Sequence, residues 1–67
     1  MDTIKRVQDL MQERDMNLCV LAKKCGISYS TIQTTARRGG QLSVETIERI
    51  SQGLGITLKD FFDSSYL

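Results

Sequence analysis

The sequence predicts an all-α domain of five short helices, and three observations carry that expectation. Apolar residues recur every three or four positions through most of the chain. Residue types that cap helices stand before these runs and glycines follow several of them, while no stretch alternates apolar with polar as a half-buried strand would. Sixty-seven residues, with no internal repeat, low-complexity segment or linker, read as a single domain, 1–67. At this size one core stabilises only marginally unless the helices pack well or the chain self-associates.

Ile4, Val7, Leu10 and Met11 recur at i, i+3, i+6 and i+7, with Lys5, Arg6, Asp9, Gln12 and Glu13 between them, which predicts an amphipathic helix over 3–14. Met16, Asn17 and Leu21 have the arrangement of a hydrophobic staple around an N-cap and open a second helix, 18–25. Gly26 suits a left-handed stop, Ile27 turns inward and Ser28 is expected to cap a third helix, 29–38. Gly39 and Gly40 break the chain; Ser43 and Glu45 restart it as 44–54, marked by Val44, Ile47, Ile50 and Leu54. Gly55 ends that helix. Thr57 with Asp60 resembles a capping box before a last helix, 58–63, with Leu58, Phe61 and Phe62; the tail Ser64-Ser65-Tyr66-Leu67 is expected to be loose.

Charge is sorted along the chain although the net value is only +1. Between Asp15 and Glu45 there is no acid, and Lys23, Lys24, Arg37 and Arg38 give that segment +4; the flanks hold the other five bases and all eight acids, −3. A local field of that sign suits phosphate. On the third helix, with Ile32 at zero and about 100° per residue, Ala36, Tyr29 and Thr35 fall within about 60° of Ile32 and form the side expected to pack inward. The opposite arc, from Gln33 through Arg37, Ser30, Thr34 and Arg38 to Thr31, is polar, short and free of acids. Ser28, Ser30, Thr31, Thr34 and Thr35 are middling helix formers, so packing must hold this helix, whereas small donors and acceptors beside arginines suit phosphates and base edges. Tyr29, at the margin of the apolar arc, suits a core role with its hydroxyl at the surface as well as base contact.

Other chemistry is poorly supplied. With no histidine, no Cys-x-x-Cys pair and no converging acids, nothing assembles a catalytic group or a metal site, so neither enzymatic activity nor a cofactor is expected. Cys19 and Cys25, about 240° apart on one helix, are aimed too differently to bridge and are expected to be small core hydrophobes in a reducing compartment. No apolar run approaches membrane-spanning length and Asp2 opens the chain where a signal peptide would be basic; a cytoplasmic location is expected.

With their spacing laid out, Leu21, Ala22, Gly26, Ile27 and Ile32 resemble the helix-turn-helix of the lambda-repressor and Cro type, the XRE family, and LSVETIERISQGLGITLKDFF resembles that family's closing helices. The physical reasons agree: Ala22 is small where two helices cross, Gly26 permits the turn, and the three aliphatics lock the angle. The resemblance implies a five-helix lambda-repressor-like domain and a sequence-specific double-stranded DNA-binding regulator of transcription, a small prokaryotic or phage repressor. It matches Ser28, Tyr29, Ser30, Gln33, Thr34 and Arg37 to the helix that enters the major groove, with Tyr29, Ser30 and Thr34 as base readers, and Asn17 and Arg38 to phosphate contacts. Leu18 replaces a frequent Gln, Thr35 a usual aliphatic, Ala36 a frequent Glu and Leu42 a frequent Pro. A protein-interaction module on the same fold, an antitoxin or anti-repressor, is the competing reading. Because one such helix contacts about a half-site, a homodimer on a pseudo-palindromic operator is expected, through the C-terminal region with Phe61, Phe62 and Tyr66.

Overall fold

The structure is a computed structural model and describes residues 2–63. Its five helices are α1 (Thr3–Glu13), α2 (Leu18–Cys25), α3 (Tyr29–Arg37), α4 (Val44–Leu54) and α5 (Leu58–Phe62), with no strand among the described residues. The ranges expected for α1, α3 and α5 each run one residue too far. Arg14, Arg38 and Asp63 are C-caps, and after Arg14 and Arg38 the chain turns left-handed at Asp15 (φ 51°) and Gly39 (φ 68°). The tail from Ser64, including Tyr66, lies outside the described residues.

The N-terminal signals act largely as their chemistry dictates. Asp2, Asn17, Ser43 and Thr57 each accept a first-turn backbone N–H through the side chain, and Thr57 with Asp60 closes a full capping box. Ser28 is the exception. It occupies the cap position of α3 without a side-chain cap bond, its Oγ lying 2.8 Å from Ser30 Oγ instead.

Val7, Leu10, Leu21, Cys25, Ile32, Leu42, Ile47, Ile50 and Phe61 form the core. Ile32 is the one buried residue of α3, so the inward arc expected for it is narrower than the wheel implied: Tyr29 and Ala36 are exposed and Thr35 is half-buried. Val44, expected to mark α4's inner side, is exposed at that helix's first position. The cysteines divide. Cys25 is buried, its Sγ 3.7 Å from the Ile50 carbonyl, and burial pushes its thiol pKa up against the opposing pull of Lys24, whereas Cys19 is exposed on the first turn of α2 and is no core residue.

Long-range polar contacts lock the ends of the bundle. Thr3 is buried; its N–H and hydroxyl both donate to Gln41 Oε1, at 2.9 and 2.8 Å, while the same hydroxyl accepts the Leu42 N–H at 2.9 Å. Leu42 can do this because it keeps the donor that a proline lacks. Arg6 reaches across from α1, Nε donating to the Phe61 carbonyl at 2.6 Å and Nη2 to the Asp60 carbonyl at 2.7 Å, so a guanidinium satisfies carbonyls near the end of a five-residue helix. α2 and α4 cross closely: a Cβ on Gly53 would fall 2.8 Å from Cys25 Cα and 3.0 Å from Cys25 Cβ, and nearer still to Sγ. Among the described residues no helix is long and apolar enough to cross a membrane.

Candidate nucleic-acid interface

α2 and α3 are joined by Gly26, Ile27 and Ser28, and the geometry of that turn follows from backbone chemistry. Gly26 sits at φ 66° and the Ile27 N–H returns to the Ala22 carbonyl at 3.0 Å, a bond that needs the left-handed residue before it. Leu21 and Ala22 below it and Ile32 beyond it are buried, so the two helices are held by side chains with no freedom to slide. From the other side Arg49 closes on the turn, donating to the Gly26 carbonyl at 3.4 Å and pairing with Glu45 at 3.1 Å.

All eight sequence-predicted site residues are exposed. Asn17 is exposed and caps α2 by accepting the Val20 N–H at 2.9 Å on Oδ1, a bond that does not use its amide N–H donors. Ser28 and Ser30 share their hydroxyl contact at the start of α3, and one turn on Gln33 Nε2 donates to Tyr29 Oη at 2.7 Å. Thr35 Oγ1 returns to the Thr31 carbonyl at 2.9 Å, occupying that hydroxyl on its own helix. Arg37 ends α3 and Arg38 is its C-cap; neither forms an ion pair among the described residues. No acid lies on α3. The face is therefore polar, short-chained through its first turns and cationic at its C-terminal end.

Two features of this surface are not legible in the sequence. Leu18 and Ala36, both departures from the pattern the resemblance implies, line one groove of about 280 Å³ with Ile4, Val7, Met11 and Ile32. Arg49 belongs by position to the acidic flank, yet with Glu45 it borders a second cleft beside Ser28 and Thr31. The partition of charge is thus sharper along the chain than across the folded surface. A cation four residues after an acid on a predicted helix signals their pairing, but nothing local reveals that the pair rests on the turn.

A family model described as the Cro/C1-type HTH DNA-binding domain matches residues 6–64. Searches of curated proteins and of solved structures gave no match. The matched span holds α2, the turn and α3 entire, together with α4 and α5 and most of α1; the chain belongs to the Cro/C1-type helix-turn-helix DNA-binding domain family.

Proposed function

We propose that the protein is a sequence-specific double-stranded DNA-binding regulator of transcription, a small repressor of prokaryotic or phage type that places α3 in the major groove. The observation that carries this reading is the outward face of α3, where Ser30, Gln33, Thr34 and Arg37 stand exposed with no acid on the helix, within a chain of a DNA-binding family. Short hydroxyl side chains let the helix backbone approach base edges closely, and Tyr29, Ser30 and Thr34 serve as readers. Asn17 through its free amide N–H groups, and Arg37 and Arg38 through their guanidinium groups, set register on phosphates.

A pair of such helices requires a second copy of the chain. Phe61, expected at the interface, is fully buried and belongs to the core; Phe62 and Leu58, four residues apart and each 40% exposed, form the outward apolar edge of α5. A homodimer through that edge, on a pseudo-palindromic operator with half-sites about one DNA turn apart, fits the domain's size and the short reach of one recognition helix.

The test is electrostatic. Arg37→Ala and Arg38→Ala should each weaken binding to every duplex and flatten the log–log salt dependence by about 0.9 for each phosphate no longer neutralised. Fluorescence anisotropy over a salt series reads the slope, and an unchanged slope in both variants would remove the arginines from the interface.

A further inference from the structure

The hydrogen bond between Gln33 and Tyr29 fixes more than a rotamer. A phenol oxygen can accept as well as donate, whereas the Gln33 Nε2 group at 2.7 Å can only donate. Tyr29 Oη is therefore the acceptor in that pair, and its own proton is left for another acceptor. The neighbouring Ser28 and Ser30 hydroxyls differ: at 2.8 Å either oxygen can donate, so no polarity is imposed on them. Tyr29 and Gln33 are both exposed and four residues apart on α3, so the contact joins two side chains of the outward surface and ties α3 to no other helix.

We infer that Gln33 is a positioning residue that makes Tyr29 a hydrogen-bond donor toward DNA, so that α3 selects a base presenting a major-groove acceptor and rejects cytosine on the contacted strand. Guanine offers N7 and O6, adenine N7 and thymine O4, but cytosine shows an amino group and no acceptor. A hydroxyl whose proton faces that amino group leaves two donors opposed. This inference rests on the DNA-reading function proposed above.

Selection from a randomised duplex library, carried out in parallel with the parent chain and three variants, tests it. Gln33→Glu replaces the donor by a carboxylate that accepts the Tyr29 proton, turning the lone pairs of Oη toward the base. The added negative charge lowers affinity for all duplexes, but base preference is compared within one variant and is insensitive to that loss. The parent should disfavour cytosine at one half-site position by roughly tenfold; Gln33→Ala and Tyr29→Phe should relax this to about twofold, and Gln33→Glu should favour cytosine there. Circular dichroism melts verify that these surface variants are folded, and should Gln33→Glu bind too weakly to select, the other two still decide the matter. If all variants that bind keep the parent's preference at every position, the inference is overturned while the DNA-reading function stands. A parent chain that enriches no sequence at all overturns both.

Discussion

Asp15 holds a left-handed conformation, φ 51°, in a position equivalent to those that Gly26, Gly39 and Gly55 occupy after other helices. A side chain in that region costs about 1–2 kcal/mol, less for Asp than for most residues, and a glycine there gives part of the gain back through a freer unfolded chain. Asp15→Gly should therefore raise stability by roughly 0.5–1 kcal/mol. Urea denaturation reads it as a higher midpoint at unchanged slope; a lower midpoint would mean that Asp15 is not strained. The stop at Gly26 is legible because glycine announces it, while the stop at Asp15 is not, since most aspartates have ordinary backbone angles. The sequence leaves Tyr29 undecided for a related reason: a helical wheel gives direction but not how far the core extends, and of α3 it takes in Ile32 alone.

The same closing device ends α1 to α4. After each left-handed residue the next N–H returns to the carbonyl five positions back, Met16 to Met11, Ile27 to Ala22, Gly40 to Thr35 and Ile56 to Ser51, and three of those donors are half-buried apolar residues. Stop and inward turn are thus coupled, which is why element positions can be read locally to within one residue. The crossing of α2 on α4 cannot. A glycine inside a helix looks like a weakness of about 1 kcal/mol relative to alanine, and only the partner helix shows that Gly53 makes room for Cys25. Two terms compete in Gly53→Ala: the helix gains about 1 kcal/mol, while a methyl pressed on backbone and Cβ of α2 costs more than a flexible side chain would, the net expected loss being about 1–3 kcal/mol. Should urea unfolding show Gly53→Ala to be stabilising, the two helices part more easily than their spacing implies.

For the molecule as a whole, Phe61 and Phe62 divide two tasks between adjacent positions. Their rings meet edge to face, centroids 5.2 Å apart, yet one is wholly buried and the other 40% exposed. Phe62→Asp should leave the monomer folded, at a lower melting temperature because the ring contact with Phe61 is lost, while abolishing cooperative occupancy of two half-sites; Phe61→Ala should cost about 3–5 kcal/mol. Sedimentation with duplexes carrying one or two half-sites separates these effects, and Phe62→Asp that still binds as a cooperative pair would place the interface elsewhere. Sequence periodicity announces that two adjacent aromatics cannot face the same way, but not which of them the core takes. It likewise assigns faces to Thr3, Arg6 and Arg49 without naming Gln41, the Phe61 carbonyl or Gly26 as their partners, because a repeat of three to four residues carries no record of a contact tens of residues away.

The Arg6 clamp on α5 also has a place in time. Its two bonds join residues 54 and 55 positions apart, so closing it means closing a loop of nearly the whole chain, whose entropy must be given up before the clamp returns anything. Such a contact belongs to the late part of folding, after the local turns of α2, α3 and α4 have met, and by the same token to the earliest part of unfolding. Arg6→Ala should then speed unfolding severalfold and leave the refolding rate almost untouched, as stopped-flow chevrons would record; equal effects on both limbs would place the clamp in the nucleus instead. In the native protein the amides of α5 should exchange with solvent sooner than those of α4, and the helix that carries the outward Phe62 would be the first to leave and the last to return.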